Sequence, residues 1–250
     1  MKKYSFIILL LVCTSLVPPR QKITVYLIGD STMADKRASA FPETGWGTPF
    51  KTFFDSTVVI DNRAKNGRST KTFISENLWQ PIADQLKAGD YVFIQFGHND
   101  EAKTKGERYA SPELYKENLR KFIRETRNKN AYPVLLSPVT RRRFDENGNI
   151  RETHIEYSPI VHQVARDTNT PYIDLDKKSR QMLQEFGEED SRYLFLQLSA
   201  GEHPNYPDGV DDNTHFSEFG ARKIAQIVLK EIVALRLELA DRIVTKKTEK

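Results

Sequence analysis

Two stretches far apart in the chain carry residue types that acyl chemistry requires. Ser31 stands in Gly29-Asp30-Ser31-Thr32, directly after the apolar run Ile23 to Ile28. Near the other end, Asp212-Asn213-Thr214-His215 places a carboxylate three residues before a histidine. A serine hydroxyl is a weak nucleophile until a base takes its proton, and an imidazole is an effective base when a carboxylate orients it. Acyl transfer also needs donors aimed at the oxygen on which negative charge develops. The backbone N–H groups of Ser31 and Gly67 and the side-chain amide of Asn99, in Gly97-His98-Asn99-Asp100, are candidates for that task. Gly67 has no side chain to keep a substrate off its backbone.

Each stretch alone has an ordinary reading. Ser31 could cap a helix that follows the first strand, since Asp and Ser favour that position. Asp212 and Asn213 could be plain turn formers ahead of an unremarked His215. The catalytic reading therefore depends on elements that would bring the stretches together.

Those elements are legible as alternating apolar runs and helical patterns. Strands are predicted at Ile23 to Ile28, Val58 to Asp61, Tyr91 to Phe96, Pro133 to Ser137 and Pro171 to Leu175. Their nearly continuous apolar character suits a parallel sheet covered on both faces. Ser111-Pro112 and Ser158-Pro159 read as helix starts, with a serine cap followed by a proline whose missing N–H costs nothing there. A last helix is predicted from about Ser217, with Ile224, Ile227, Val228, Ile232, Leu235 and Leu239 along one side. Such alternation implies a three-layer α/β/α sandwich. In such sheets ligands bind beyond the carboxyl ends of the strands. The turns after the first three strands hold Ser31, Gly67 and Asn99, so all three should open on one edge.

The chain has 250 residues, 38% hydrophobic, with no repeat and no linker-like segment, and reads as one domain over 21–250. Its formal charge of +4 is spread among interspersed acids and bases and does not argue for nucleic acid. Lys2 and Lys3 precede the apolar run Phe6 to Cys13, and Pro18-Pro19 follow. That pattern over 1–20 reads as a secretory signal peptide and is too short for a membrane-spanning helix. A secreted or periplasmic location is expected. Cys13 is the single cysteine, so an internal disulfide in the mature domain is excluded. Lipid anchoring at Cys13 is disfavoured by the bulk of Val12.

In order, Gly29-Asp30-Ser31, Gly67, Gly97-His98-Asn99-Asp100 and Asp212-Asn213-Thr214-His215 resemble the four blocks of the SGNH (GDSL) hydrolases. Longer stretches, Gly29-Asp30-Ser31-Thr32-Met33-Ala34, Asn66-Gly67-Arg68-Ser69-Thr70, Ser137-Pro138-Val139-Thr140-Arg141-Arg142-Arg143-Phe144 and Asp212 to Ser217, look closest to rhamnogalacturonan acetylesterase-like carbohydrate esterases. The resemblance runs from about residue 23 to the final helix. It implies a flavodoxin-like five-stranded parallel sheet and an oxyanion hole of Ser31, Gly67 and Asn99. It also implies a triad of Ser31, Asp212 and His215, with no metal or other cofactor. The implied substrate is an acetylated polysaccharide or oligosaccharide, most often pectic, with xylan or a lipid ester as alternatives; no protein partner is implied. A carbohydrate-binding protein on a hydrolase scaffold is the non-enzymatic alternative, against which the intact Ser31, Asp212 and His215 argue.

Other residues invite a role with less support. Arg68 and His98 lie inside the blocks and are candidate substrate contacts, with a packing role the equal alternative for His98. Arg141-Arg142-Arg143 follows a strand end, where a guanidinium could meet a uronic carboxylate, although such runs are usually a solvated face. Trp46 fits a sugar platform or a core gap. Asp145-Glu146-Asn147-Gly148-Asn149 lacks the spacing of a calcium loop and reads as a turn. The loop holding His203 is expected to wall the pocket.

Overall fold

The computed structural model describes residues 20–244. All but Arg20 of the expected signal segment, Cys13 included, lies outside the described residues, as does the polar tail from Thr245.

The five expected strands form one parallel sheet. β1 (Ile23–Gly29), β2 (Val58–Asn62), β3 (Tyr91–Gln95), β4 (Tyr132–Leu136) and β5 (Tyr172–Ile173) lie in the order β2-β1-β3-β4-β5. Alternation within each strand divides the core. Val25, Leu27, Tyr91, Phe93, Val134 and Leu136 face one cluster; Tyr26, Ile28, Val92, Ile94 and Leu135 face the other. Among the described residues seven α-helices flank the sheet: α1 (Gly47–Phe50), α2 (Thr70–Ser75), α3 (Gln80–Gln85), α4 (Pro112–Arg127), α5 (Tyr157–Asp167), α6 (Leu175–Ser191) and α7 (Glu218–Ala234). Buried residues of α1, α6 and α7 fill the first cluster, and those of α2 to α5 fill the second. The result is the expected three-layer α/β/α sandwich.

Several element ends differ from the expectation, each for a local reason. Ser111 caps α4 by accepting from the Leu114 N–H (3.2 Å), and Ser217 caps α7 by accepting from the Gly220 N–H (3.1 Å). Ser158, in contrast, lies inside α5, which starts one residue earlier with no side-chain cap. β5 has two residues because Asp174 caps the next helix, accepting from the Lys177 N–H (3.1 Å). That helix, α6, was not expected; its apolar positions Leu175, Met182, Leu183 and Phe186 form a thin stripe among charges. α7 ends at Ala234, and Leu239 is buried from a short 3₁₀ segment, Glu238–Arg242, that follows.

A second, two-stranded antiparallel sheet pairs β6 (Phe195–Leu198) with β7 (Val210–Phe216). β7 reads Val-Asp-Asp-Asn-Thr-His-Phe, a composition poor in strand formers. Its pairing is imposed by tertiary contacts, through β6 and through Thr44, whose N–H donates to the Phe216 carbonyl (2.9 Å). Gly220 lets the start of α7 close on this unit: a Cβ there would lie 1.8 Å from the Leu194 carbonyl oxygen.

Candidate active site

β1 pairs with β2 on one side and β3 on the other, and the connections leave in opposite directions from this point. That is where a crevice opens at the carboxyl edge of a doubly wound sheet. Ser31 enters it two residues after β1. No helix begins there, so its hydroxyl is not spent as a cap; α1 starts only at Gly47. Instead the chain makes a tight turn. The Asp30 carbonyl accepts from the N–H groups of Met33 (3.3 Å) and Ala34 (3.1 Å). The Asp30 carboxylate accepts from the Thr32 N–H (2.9 Å) and Thr32 Oγ1 (2.8 Å).

β7 brings the remote stretch to the same place. Ser31 Oγ lies 2.9 Å from His215 Nε2, and His215 Nδ1 lies 2.7 Å from Asp212 Oδ2. The carboxylate is a pure acceptor, so the ring donates through Nδ1 and its Nε2 lone pair faces the serine hydroxyl. Asp212 Oδ1 accepts from the N–H groups of Thr214 (2.7 Å) and His215 (2.9 Å). Burial pushes the Asp212 carboxyl up, but these hydrogen bonds and the His215 ring outweigh it and hold the group at about 2. It is an anion throughout the neutral range. Both side chains keep more than a quarter of their surface exposed, so solvent and ligand reach the pair.

The expected donors lie on the adjacent turns. Among the described residues, the Ser31 and Gly67 N–H groups donate to no protein acceptor, whereas those of Thr32, Lys65, Arg68 and Ser69 around them all do. Gly67 has φ 75°, a left-handed conformation that favours glycine. Asn99 directs one N–H of its amide to the Arg68 carbonyl (3.1 Å), which fixes the group and leaves the second N–H uncommitted. The arrangement contains a hydroxyl, a base on it, an oriented anion behind the base, and three unspent N–H groups on neighbouring loops.

The two candidate substrate contacts have different surroundings. His98 is buried, with Nδ1 3.3 Å from Asp30 Oδ2 and its ring edge-on to His154 at 4.5 Å. Burial pulls its pKa down to about 4, so at neutral pH the ring is uncharged and donates through Nδ1 to Asp30. Arg68 stays near the surface, tied to Glu76 (2.8 Å) and to the Asn66 carbonyl (3.0 Å). The arginine run divides its duties. Arg141 pairs with Glu101 (2.7 Å), and Arg142 donates to Asn213 Oδ1 (3.0 Å), bracing β7. Arg143 joins His98, Glu101 and Lys103 in lining an open hollow of about 520 Å³.

Trp46 is core: it is fully buried and its Nε1 donates to Gln95 Oε1 (2.7 Å). The Asp145 segment is a hairpin turn, with Phe144 bridged to Ile150 and Asp145 Oδ1 accepting from the Asn147 and Asn149 N–H groups. The His203 loop packs on the segment 38–42 through Asn205 and Tyr206.

Sequence reading missed the support beneath Ser31. Gln95 donates to Thr32 Oγ1 (2.9 Å), so Trp46, Gln95, Thr32, Asp30 and His98 form one buried chain of hydrogen bonds. Gln95, a polar residue ending an otherwise apolar strand, was the available signal. Asp100 is another buried carboxyl: it accepts from the Thr70 N–H (2.9 Å) and Oγ1 (2.6 Å), while burial pushes it up to about 7.

The chain is similar to known proteins over most of its length. Residues 27–223 match the model of the GDSL-like Lipase/Acylhydrolase family. Rhamnogalacturonan acetylesterase RhgT of Bacillus subtilis is 41% identical over 227 residues, covering 91% of this chain and 97% of that protein. Among solved structures, protein YxiM of Bacillus subtilis superposes with a TM-score of 0.75 at 25% identity, over 88% of this chain and 58% of that one. An acetylxylan esterase from Geobacillus stearothermophilus shares the fold, with a TM-score of 0.60 at 18% identity over 85% of this chain and 94% of that one. The match of the family model across three quarters of the sequence, joined to the 41% identity with RhgT, shows that the chain belongs to the GDSL-like lipase/acylhydrolase family and is a carboxylic ester hydrolase.

Proposed function

We propose that the protein is a serine acetylesterase that removes O-acetyl groups from a plant cell-wall polysaccharide of the rhamnogalacturonan type. The observation that carries the reading is the continuous chain Ser31 Oγ, His215, Asp212 at 2.9 and 2.7 Å, beside three uncommitted N–H groups. His215 Nε2 takes the hydroxyl proton as Ser31 Oγ attacks the acetyl carbonyl. The oxyanion of the tetrahedral intermediate is met by the N–H groups of Ser31, Gly67 and Asn99. Collapse breaks the bond to the sugar oxygen, which leaves with the proton from His215. A water, deprotonated by the same nitrogen, then attacks the acetyl-Ser31 ester and releases acetate.

The pectic substrate is supported by the rhamnogalacturonan acetylesterase at 41% identity; the acetylxylan esterase, at 18%, supports the fold. Export is supported by the basic and apolar start of the sequence, and N-terminal sequencing of protein from the extracellular or periplasmic fraction tests it: a start at Met1 refutes removal of a leader. The catalytic reading is tested with Ser31→Ala. Acetate release from acetylated rhamnogalacturonan should fall on the order of 10⁴- to 10⁶-fold, and full activity in that variant would refute it. The same assay on acetylated xylan and a lipid ester ranks the substrate classes.

A further inference from the structure

The loop between β3 and α4 brings a guanidinium against the expected oxyanion donors. A Cβ on Gly67 would lie 3.2 Å from Cζ, Nη1 and Nη2 of Arg108 alike. Equal distances to these three atoms place that point above the plane of the fork, so the guanidinium lies flat over the Gly67 backbone. A side chain at residue 67 would push it away.

The loop that carries Arg108 is pinned. The Arg108 N–H donates to the Lys105 carbonyl (2.8 Å), the Ala110 N–H to the Asp100 carbonyl (3.1 Å), and Lys71 Nζ to the Gly106 carbonyl (3.2 Å). Tyr157 Oη donates to the Ala110 carbonyl (2.6 Å).

Three neighbouring cations are committed. Lys36 pairs with Glu43 (2.7 Å), Arg68 with Glu76 (2.8 Å) and Arg141 with Glu101 (2.7 Å). The half-buried Arg108 side chain has no hydrogen bond or ion pair among the described residues. One face of its fork is covered and its N–H edge is unspent.

We propose that Arg108 is a specificity-determining residue that binds a uronic-acid carboxylate of the glycan, within one sugar of the acetyl ester attacked by Ser31. A guanidinium fork matches a carboxylate with two parallel hydrogen bonds, and packing on one face fixes its plane before the ligand arrives. A neutral sugar at the same place leaves those donors without an anion. This inference rests on Ser31 being the acyl-transfer centre and adds which feature of the glycan is read beside it.

The test compares an acetylated rhamnogalacturonan oligosaccharide with the same oligosaccharide after methyl esterification of its carboxyl groups. For the wild-type protein, kcat/KM should favour the free acid by roughly 10- to 100-fold, the size of a charge-assisted hydrogen bond. Arg108→Gln should abolish that preference, and Arg108→Lys should keep part of it. Each ratio is taken within one preparation, so a partly folded variant does not distort it. An unchanged preference in Arg108→Gln, or an equal loss on both substrates, overturns the proposal. A wild-type protein that deacetylates both without preference also overturns it. If the wild type cleaves 4-nitrophenyl acetate but releases acetate from neither oligosaccharide, the glycan reading fails and this inference with it.

Discussion

Two aspartate–histidine pairs lie near Ser31. Asp212 and His215 meet at 2.7 Å with more than a quarter of each side chain exposed. Asp30 and His98 meet at 3.3 Å with almost none. Both aspartates are held at about 2 against the pull of burial, Asp212 by the His215 ring and N–H groups, Asp30 by His98 and the Thr32 N–H and hydroxyl. What separates the pairs is the far nitrogen of each ring. His215 Nε2 faces the Ser31 hydroxyl, whereas His98 Nε2 is buried and has no hydrogen-bond partner among the described residues. An Asp–His contact therefore does not by itself make a base. Access and a proton to accept decide it, and the enclosed pair works as scaffold for the turn that presents Ser31.

Four substitutions test this contrast. Asp212→Asn should lower kcat by about 10³- to 10⁴-fold with little change in fold, because the ring loses the acceptor that sets its tautomer. Steady-state kinetics on a small acetyl ester measures it, and a loss under tenfold would remove the distinction between the pairs. Asn99→Ala should cost about 10²- to 10³-fold in kcat as one oxyanion donor disappears; an effect confined to KM would reassign Asn99 to ground-state binding. His98→Asn keeps a donor toward Asp30, so kcat should fall tenfold or less on a small acetyl ester while the thermal midpoint drops. A kcat loss near that of Asp212→Asn would place His98 in the chemistry.

The smallest effect concerns the buried carboxyl next door. Burial raises Asp100 from 3.8 to about 7, so between those values the folded chain keeps a proton that the unfolded chain has released. Its contribution to stability is greatest below about pH 4, declines as pH rises through the window, and levels off above about pH 7. Asp30, shifted the other way, contributes above about pH 4 and loses that contribution as pH falls toward 2. Asp100→Asn keeps an oxygen to accept from Thr70 and should flatten the decline between pH 4 and 7 in urea-unfolding midpoints. A variant with the wild-type slope would exclude Asp100 as its source.

Most of the sheet was legible because β1, β3 and most of β4 are buried on both faces and so nearly continuous in apolar residues, whereas the edge strand β2 is only partly buried. Tyr132 and Pro133 at the start of β4, and Asp174 closing β5, moved strand ends by a residue or two, where caps and pairing outrank pattern. The stretch from Asp212 to His215 was legible as chemistry but not as structure. Its composition suits a turn, and pairing with β6 and Thr44 extends it into a strand. α6 was obscured by its charges. For His98 the sequence left a substrate-facing and a packing role open, because its place within a chemically active block carries no information about which way the ring turns.

The sequence by itself determined the residue types: a nucleophile, a base, its carboxylate, a glycine and an amide, each beside a run able to form its supporting element. It also determined the layered α/β architecture, since hydrophobic periodicity is local. Which histidine can act on Ser31, that Arg108 comes to lie against Gly67, and where Asp30 and Asp100 are enclosed were decided by the tertiary structure alone. Those outcomes depend on distances between segments up to 184 positions apart and on the access of water, and neither quantity is encoded in spacing along the chain.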